Sequence, residues 1–528
     1  MTSPSLAVSR AVRPEPIVRL ENYFQEPYNL AVATARTCYS SRVISVGDVN
    51  HDDKSREQRD RIAESIYKAG HHTTIQHPTF QFVLERVSRQ FIWSFLHAHP
   101  FYNSEQVSQR YVEVKPGNVT VPPLDADAER VYLDAVAVQM DAYRRLIELV
   151  QPTVVREYQR IFPSRDPNEK RWASAIKKRC QEIARYVLPV ATHAHLYHTI
   201  SGLTLHRYWR LCQQFDTPLE TQLVVRRMVE EVSKIDPNFM ALAEDPFPLE
   251  ETLEFRAFER FHGAARNGTT KRFVDAFDRE LGGRISTLVD CSANAQATMA
   301  QAVRSMLGLT AEQLADAEAI RLVLDPAENR YLADALTLTT MSKLSRAMVH
   351  PHFTFKKKLS HTADSQDQRH RMVPASRPIL AAQFTGQPDY ITPVLIESTP
   401  EAKACYDAAM AATWQAIDRL LGRGIDEESA LYLLPNAFPI RFEESGDLLH
   451  FHHKWVHRLC YTAQEEIWNA CREEVLQVEE RFPEIGRYLR APCWVRAAAS
   501  AKPVCPEGDR FCGVAVWKLP LNRYERLI

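Results

Sequence analysis

Residues 77–82 read HPTFQF and residues 350–355 read HPHFTF, so one short apolar motif occurs twice in the chain. The two copies are 273 residues apart at their histidines, and each is followed by a serine, Ser88 or Ser360. Self-similarity at a fixed spacing is typical of repeated structural units. We therefore predict a tandem duplication of one domain.

The repeat extends beyond this motif and keeps its order. An apolar segment followed by small residues at 20–36 matches a similar segment at 288–304. Three shorter matches follow: YVLP at 186–189 with YLLP at 432–435, RLC at 210–212 with RLC at 458–460, and TQ at 221–222 with AQ at 463–464. Matches in this order argue against two unrelated helical domains.

The length of the chain also indicates two domains. A chain of 528 residues exceeds what one hydrophobic core usually organises. We predict a first repeat at 1–250 and a second at 251–528, with a cysteine-containing tail from about 490 to 528. The stretch from about 245 to 285, which contains prolines and glycines, is the predicted junction.

Charge and hydropathy argue against several classes of partner. Charged residues make up 25% of the chain and the formal net charge is −1, so nothing global favours nucleic acid or an anionic membrane. No run approaches the roughly 18 apolar residues of a membrane span, and the N-terminus lacks the apolar core of a signal peptide. We expect a cytoplasmic protein whose ten scattered cysteines are mostly reduced and buried.

The periodicity of apolar residues predicts an α+β fold. Helical patterns cover 127–160, 171–200 and 203–234, the last with a break near residues 216–218. Segments 80–87 and 353–359 are rich in β-forming residues and are predicted to be strands, each leading into a helix at the following serine. The polar residues of interest therefore lie on a strand–helix–loop unit.

The order of polar motifs resembles that of the flavin-dependent thymidylate synthases. That family has His-x-Ser/Thr-x-x-Glu-His, Phe-x-Phe, Ser, Gln-x-x-Arg-His-Arg, Ser-x-Arg-Tyr and Ala-Gln-x-Glu-Ile-Arg in this order. The first repeat has HTTIQH at 72–77, with Gln76 in place of the acid, SQRY at 108–111 and TQLVVR at 221–226. The resemblance implies two tandem copies of the family's fold, in which helices wrap a small, mostly antiparallel sheet.

The second repeat keeps other parts of the pattern. It has QDQRHR intact at 366–371 and AQEEIW at 463–468, where Trp468 replaces the family's arginine. After Arg371 it has no Ser-x-Arg-Tyr at the expected place, and the pair SR at 376–377 falls too early. Neither repeat alone matches a complete enzyme of this family.

The first repeat has lost what the second keeps. It reads HAH at 97–99 in place of Arg-His-Arg, Ser94 in place of the preceding glutamine, and Leu203 in place of a substrate arginine. His97 and His99 are interpreted as relics or surface histidines and not as ligands. The family assembles its active sites at subunit contacts of a tetramer. The resemblance therefore implies a homodimer of this chain, a pseudo-tetramer with composite sites.

The resemblance also assigns roles to individual residues. It implies catalytic roles for Ser108, Arg110 and Tyr111. The implied nucleotide-binding residues are Gln366, Arg369, Ser108, Arg110 and Arg226, and the implied FAD-binding residues are His72, Thr74, Arg369, His370 and Arg371. The side-chain chemistry agrees, because arginines offer forked donors to phosphate oxygens and a glutamine can both donate to and accept from a pyrimidine.

The implied reaction is methylation of dUMP to dTMP, with FAD as cofactor and methylenetetrahydrofolate and NADPH as co-substrates. The substitutions at Gln76, at 97–99 and at Trp468 leave two alternatives open. One is a related flavoenzyme that acts on another pyrimidine nucleotide or transfers a different one-carbon state. The other is a non-catalytic protein that binds a nucleotide or flavin.

The C-terminal tail contains three cysteines that the family pattern does not explain. Cys493, Cys505 and Cys512 lie in a segment with glycines and prolines, and such thiolates suit a tetrahedral zinc site. The missing fourth ligand would be Cys471 or a histidine among His450, His452 and His453. The spacing is a weaker signal than paired Cys-x-x-Cys, and the alternative is buried thiols that cover the edge of the domain.

Overall fold

The computed structural model describes residues 12–97, 101–214, 216–262, 266–526 and 528. Helices are interrupted by short strands that form two four-stranded sheets. This arrangement confirms the predicted α+β class.

The elements between residues 12 and 262 are β1 Ile17–Tyr23, α1 Pro27–Thr37, α2 Asp53–Ala69, β2 Thr79–Ser88, α3 Arg89–His97, β3 Tyr102–Gln106, α4 Ala126–Ile161, α5 Lys170–Ala184, β4 His193–Ser201, α6 Gly202–Arg210, α7 Pro218–Ile235 and α8 Leu253–His262. The elements after residue 265 are α9 Arg266–Leu281, β5 Ser286–Cys291, α10 Ala295–Leu307, α11 Asp316–Leu324, β6 His352–Ser360, α12 His361–Asp367, β7 Ala375–Ser376, α13 Val394–Glu397, α14 Pro400–Gly422, α15 Glu427–Leu431, β8 Pro439–Asp447, α16 Leu448–Arg458, α17 Glu465–Arg481, α18 Pro483–Gly486 and α19 Pro492–Ala498.

The two sheets have the same strand order. The first runs β1-β2-β4-β3 and the second β5-β6-β8-β7, with antiparallel pairing throughout. The repeated motif forms the central strands β2 and β6, on which Phe80, Phe82, Phe353 and Phe355 are fully buried. Identical topology around the same apolar motif confirms the tandem duplication.

Most predicted elements are present, but the prediction of one helix was wrong. Strands β2 and β6, helix α4 and the interrupted helix pair α6 and α7 lie where they were predicted. The segment predicted as a helix over 171–200 is helical only to Ala184, and β4 follows. In β4 buried and more exposed residues alternate along the sequence HAHLYHTIS, which is the period of a strand in a sheet. The predicted junction at about 245–285 contains helices α8 and α9.

The chain forms two compact units whose segments interleave in sequence. Unit 1 comprises 1–137, 189–264 and 415–434, and unit 2 comprises 138–188, 265–414 and 435–528, as far as these ranges are described. Each unit therefore contains a segment from deep within the opposite repeat, 415–434 in unit 1 and 138–188 in unit 2. The boundary of the repeats near residue 250 stays a prediction.

In unit 1, a buried carboxylate binds segment 415–434 of the second repeat to the end of the central strand β2. We call 415–434 in unit 1 and 138–188 in unit 2 the exchanged segments. The backbone N–H and hydroxyl of Ser88 donate to the Glu220 carboxylate at 2.7 and 2.6 Å. The hydroxyl of Tyr432, which belongs to the second repeat, donates to the same carboxylate at 2.6 Å. Burial raises the pKa of Glu220, and the bonds from Ser88 and Tyr432 oppose that shift.

Unit 2 contains the same contact with the roles of the repeats exchanged. The backbone N–H and hydroxyl of Ser360 donate to Glu466, the hydroxyl at 2.7 Å. Tyr186, from the first repeat, donates to the same carboxylate at 2.7 Å. We call each set of three residues a Ser–Glu–Tyr contact. In both units the tyrosine comes from the repeat that does not supply the serine and the glutamate.

Backbone bonds surround each tyrosine in the same pattern. In unit 1, the Ala191 N–H donates to the Tyr432 carbonyl at 3.0 Å. In unit 2, the Ala437 N–H donates to the Tyr186 carbonyl at 2.9 Å. The exchanged segments are thus fixed by backbone and side-chain bonds together.

The Ser–Glu–Tyr contacts correct one internal match made from the sequence. Glu220 and Glu466 are 246 residues apart, the same separation as Tyr186 and Tyr432. The match of TQ with AQ, at a separation of 242, was therefore wrong. The wrong match paired similar residue types. The position that the fold conserves is instead the glutamate whose carboxylate reaches the serine before a helix.

The corrected separation changes which residues correspond at the end of the motif. Trp468 corresponds to Gln222, and Arg226 corresponds to Arg472. Neither repeat therefore has an arginine at the position where the family pattern ends in Ile-Arg.

We predict that the tyrosine hydroxyls stabilise both units. Tyr432→Phe and Tyr186→Phe each remove one donor to a buried carboxylate, and each should lower the free energy of unfolding by about 1–3 kcal/mol. Urea unfolding measures this change. Tyr39→Phe, at a side chain that is 94% exposed, is the matched control and should be neutral. A neutral result for both buried tyrosines would contradict the role given to these contacts.

We also predict that Glu466 makes stability depend on pH. Burial raises the pKa of Glu466 to about 7, from an ordinary value of 4.5. The folded protein then holds this proton more tightly than the unfolded chain, so the contribution falls as pH rises from about 4.5 to about 7. Between pH 5 and pH 8, wild-type protein should lose about 1–3 kcal/mol relative to Glu466→Gln in urea unfolding. Glu401→Gln, at an exposed helix position, should follow wild type, and parallel pH profiles for wild type and Glu466→Gln would refute the assignment.

Candidate functional site

The segment 366–371 lies at the end of α12 in unit 2, directly after the Ser–Glu–Tyr contact. The Ser360 hydroxyl caps α12 by accepting from the Ala363 N–H at 3.1 Å. Helix α12 is seven residues long, so the cap at its start also positions Gln366 in its last turn and Arg369 just beyond its end. The Gln366 Nε2 atom is buried and has no hydrogen-bond partner among the described residues. An amide donor of this kind is available to a ligand.

Arg458, the last residue of α16, holds two residues of this segment. Its Nε donates to the Nε2 atom of His370 at 2.9 Å, and its guanidinium donates to the Gln366 carbonyl at 3.1 Å. Burial, and then the charges of Arg458 and Lys454, hold the pKa of His370 well below its ordinary value. His370 is therefore neutral, with Nε2 as the acceptor.

A buried ionic network lies beneath the segment. Lys357 of β6 contacts Glu474 at 2.8 Å, Glu444 at 3.1 Å and Asp367 at 3.3 Å. Lys454 of α16 contacts Asp367 at 2.8 Å and Glu444 at 2.6 Å. All five side chains are at most 1% exposed. Asp367 belongs to the segment 366–371, so its ion pairs with Lys357 and Lys454 hold this segment in place.

Charge in the network is shared by two lysines and three acids. Burial opposes the ionisation of Asp367, but Lys357 and Lys454 hold its pKa well below the ordinary value. Burial and the charge of Asp367 raise the pKa of Glu444. The network therefore binds one proton more readily at Glu444 than at Asp367, and Asp367 stays ionised between the two lysines.

Arg377, which falls too early for the Ser-x-Arg-Tyr motif, has a structural role. Its guanidinium donates to both oxygens of Asp364, the closest contacts being 2.8 Å, and the two side chains are 4% and 0% exposed. The pair links the start of α12 to β7. Arg377 is therefore committed to this ion pair and does not replace Arg110 of the first repeat.

In unit 1, the segment 108–111 forms a tight turn after β3. The Ser108 hydroxyl accepts from the Arg110 N–H at 3.2 Å, and the Ser108 carbonyl accepts from the Tyr111 N–H at 3.1 Å. Gln109 points inwards and donates to the Thr192 hydroxyl at 3.0 Å. The Arg110 guanidinium lies 5.5 Å from the centre of the Tyr111 ring, and Tyr111 is 50% exposed. The turn brings Ser108, Arg110 and Tyr111 together.

The other predicted FAD-binding residues of unit 1 lie on the turn at 72–76. A small apolar cavity of about 30 Å³ between α1, α2 and α6 is lined by Thr74, Tyr67 and His206. The Thr74 hydroxyl and the His206 Nδ1 atom are buried without a hydrogen-bond partner within the described residues. His72 lies 6.4 Å from the Tyr67 ring, measured between ring centres. Thr74 thus offers an available hydroxyl at this cavity, and its predicted contact with FAD stays a prediction.

The first repeat has no second copy of the segment 366–371. Ser94 is 4% exposed and its hydroxyl donates to Asp216 at 3.3 Å. His97 packs edge-on against Trp93 at 4.7 Å between ring centres, and His99 lies outside the described residues. Arg226 is half-buried on α7. Its predicted contact with phosphate stays a prediction.

Two parts of the unit 2 site were missed from the sequence. The sequence showed Arg458 only as the first residue of the repeated RLC motif. The corresponding arginine of the first repeat, Arg210, has a different role, because it pairs with Glu244 at 2.8 Å and lies over the Phe247 ring. Lys357 stands in a run of three lysines, which reads as a solvated strand face. Strand alternation was the available signal, since the middle lysine of such a run must face the core.

The cysteines predicted as weak zinc ligands are all in unit 2, and all are free thiols. Among the described residues, no three His, Cys, Asp or Glu side chains are arranged to hold a metal ion. Cys471, one candidate for the fourth ligand, lies instead beside the ionic network, where burial and Glu474 raise the pKa of its thiol.

No helix in the described part of the chain combines the length and apolar character that a bilayer span requires.

Comparison with known proteins shows the family. The family model described as thymidylate synthase complementing protein matches residues 19–238 and again residues 287–484. These two segments cover most of the chain and fall one in each predicted repeat. The chain therefore belongs to the flavin-dependent thymidylate synthase family and contains its domain twice.

Individual relatives are distant. The flavin-dependent thymidylate synthase of Clostridium tetani is 25% identical over 224 residues, which are 42% of this chain and 84% of that protein. The enzyme of the same name from Nitratidesulfovibrio vulgaris is 32% identical over 119 residues, 21% of this chain and 46% of that protein. A solved structure of the UMP/dUMP methylase PolB from Streptomyces cacaoi, bound with 5-Br dUMP, is 19% identical and covers 43% of this chain and 94% of that one, with a TM-score of 0.32.

We predict that Asp367 is required for the stability of unit 2. Asp367→Asn leaves two buried lysines with one counter-charge fewer, which should cost about 3–5 kcal/mol in urea unfolding. Asp418→Asn, at an exposed position of α14, serves as the control and should change stability little. A loss below about 1 kcal/mol for Asp367→Asn would mean that the network does not hold the segment as argued.

Proposed function

We propose that this protein methylates dUMP to dTMP, with FAD as cofactor and methylenetetrahydrofolate and NADPH as co-substrates. The observation that carries the proposal is the complementary loss of motifs in a duplicated family member. The first repeat keeps Ser108, Arg110 and Tyr111 and has lost the Gln-x-x-Arg-His-Arg segment. The second keeps that segment and has lost the other. We therefore propose composite sites that use both repeats.

The first repeat would supply the turn at 108–111. Arg110 offers a forked donor to a phosphate, and the adjacent ring of Tyr111 restricts where the guanidinium points. The Ser108 hydroxyl already accepts one backbone N–H, and its own proton can be donated to a pyrimidine carbonyl. His72 and the available hydroxyl of Thr74 would contact the cofactor.

The second repeat would supply the segment 366–371. Gln366 has an unpartnered amide donor that suits the polar edge of a pyrimidine. Arg369 would bind phosphate oxygens, and Arg371 and His370 would contact FAD. When bound, the reduced flavin supplies hydride and the folate supplies the one-carbon unit, so this chain mainly binds, orients and neutralises.

The proposed assembly is a homodimer. Family members build their sites at subunit contacts, and two chains of this protein contain four family domains. Two chains would then form a pseudo-tetramer with two composite sites. Neither nucleic acid nor a membrane is proposed as a partner.

A second candidate is a family member that acts on another pyrimidine nucleotide or only binds one. Gln222 and Trp468 occupy the position of the family's terminal arginine in the two repeats, and Trp468 is 2% exposed with its indole N–H bound to the Leu459 carbonyl at 3.1 Å. A lost cationic contact changes the ligand before it changes the fold.

The test is release of tritium from C5-labelled dUMP by purified protein, with FAD, NADPH and methylenetetrahydrofolate omitted in turn. Wild-type protein should release tritium only with flavin and folate present. Ser108→Ala and Arg369→Ala should each reduce the rate at least about 100-fold, because one site needs both residues. Arg130→Ala, at an exposed arginine of α4, is the control and should leave the rate unchanged.

Two outcomes would contradict the proposal. Full turnover by either Ser108→Ala or Arg369→Ala would mean that a site from a single repeat is sufficient. No release by wild-type protein that has bound flavin would favour the second candidate, which binding of other pyrimidine nucleotides would then examine.

A further inference from the structure

Strand β2 contains one residue more than its counterpart β6. Ser88 is six positions after Phe82, whereas Ser360 is only five positions after Phe355. The pairing of β6 with β8 runs without a shift of register, so the shorter strand is regular. The first repeat therefore has an inserted residue near the end of β2, just before its Ser–Glu–Tyr contact.

The inserted residue is Arg86, which forms a β-bulge. The register of β2 against β4 shifts between Glu85 and Val87, and this shift leaves Arg86 without a partner residue on β4. Its φ is 57°, in the left-handed region that residues other than glycine seldom occupy. Bulges of this kind re-aim a side chain and are frequent beside functional sites. The strand itself does not need the bulge, because β6 forms without one.

The guanidinium of Arg86 is not used within unit 1. Arg86 is exposed, whereas Val87 beside it is buried. Its neighbour on the other side, Glu85, is already paired with Arg19. Among the described residues, the Arg86 guanidinium takes part in no hydrogen bond or ion pair. The bulge therefore presents a cation that is available to an anionic ligand.

The bulge lies at the same end of the first sheet as the turn at 108–111. Strand β4 lies between β2 and β3 and pairs with both, so β2 and β3 are about 10 Å apart across it. Arg89, at the start of α3, spans this gap, because its guanidinium donates to Gln106 at 3.1 Å and to the Val107 carbonyl at 2.6 Å. A second arginine side chain from the end of β2 and Arg110 after β3 can therefore approach one ligand.

A histidine of β4 lies beside the bulge. His193 is the partner of Ser88 in the sheet, two positions after Arg86. The Nε2 atom of His193 is buried and has no hydrogen-bond partner among the described residues. Burial, and then the charge of Arg86, lower the pKa of His193 to about 4, so the ring is neutral near pH 7. The place thus combines one available cation with a neutral ring that can form a hydrogen bond to a ligand.

We propose that Arg86 binds a phosphoryl group of the ligand, together with Arg110. This inference rests on the proposed function and adds a residue that the family's motifs do not contain. A guanidinium offers forked donors that match phosphate oxygens. The phosphate of a nucleoside monophosphate and the diphosphate of FAD present the same chemistry, and the experiment distinguishes them. Because β6 has no bulge, this subsite occurs in the first repeat and not at the corresponding place in the second.

The experiment is equilibrium binding of dUMP, deoxyuridine, FAD and riboflavin to the full chain. Arg86→Gln should raise the Kd of the ligand whose phosphate it contacts at least about tenfold, as expected when a hydrogen-bonded contact to a charged group is lost. The Kd values of deoxyuridine and riboflavin, which have no phosphate, should stay unchanged. A rise for dUMP alone assigns the nucleotide phosphate, and a rise for FAD alone assigns the diphosphate of the cofactor.

Arg86→Gly separates binding from structure. Glycine adopts a positive φ without strain, so this variant should unfold at a urea concentration no lower than wild type. It should nevertheless lose as much affinity as Arg86→Gln. An arginine with only a structural role would not give a protein of undiminished stability with weaker phosphate binding. Arg61→Gln, at an exposed arginine of α2, is the matched control and should bind all four ligands as wild type does.

The outcomes separate this inference from the proposed function. Equal Kd values for wild type and Arg86→Gln with both dUMP and FAD would overturn the inference, even if the protein releases tritium from dUMP. An equal loss of affinity for deoxyuridine or riboflavin would also overturn it. Loss of dUMP affinity in Arg86→Gln, with no tritium release by wild type, would support the inference and contradict the proposed function. Wild-type protein that binds neither dUMP nor FAD would overturn both.

Discussion

The whole structure depends on a carboxylate buried beside the central strand of each unit. Such a group is costly to bury unless hydrogen bonds satisfy it, and here the serine that ends the strand supplies two of them. The third comes from a tyrosine of the opposite repeat. Tyr432 is 212 residues away from Glu220, and Tyr186 is 280 residues away from Glu466. Neither repeat therefore completes its own polar core. The two halves have therefore diverged around a shared framework.

The two units have kept this framework and diverged in the polar residues next to it. Lys357 corresponds to Leu84, and Glu444 corresponds to His198, at the separations of 273 and 246 residues that the motifs define. In unit 1, these positions hold an apolar side chain and a histidine near the Tyr208 hydroxyl at 3.2 Å. In unit 2, they hold a charged network that supports 366–371. The two repeats thus carry different side chains at the same backbone positions, which agrees with the proposal that they supply different parts of one site.

Local patterns and the repeat itself gave correct predictions, whereas contacts between distant segments were not predicted. The Phe-x-Phe motif predicted β2 and β6, because alternation and a following serine are visible within ten residues. Strand β4 was missed because its histidines interrupt the apolar pattern. The exchange of segments and the burial of Lys357 depend on contacts between distant parts of the chain, which a single sequence does not display. Gln366–Arg371 was recognised as a unit, but its support by Arg458 follows only from the structure.

The central claim is that one nucleotide site uses residues of both repeats. The most direct measurement is an experimental structure of the full-length protein with dUMP and FAD bound. The account predicts that the nucleotide contacts Arg110 or Ser108 from the first repeat together with Gln366 or Arg369 from the second. A nucleotide whose protein contacts all come from one repeat would contradict the account.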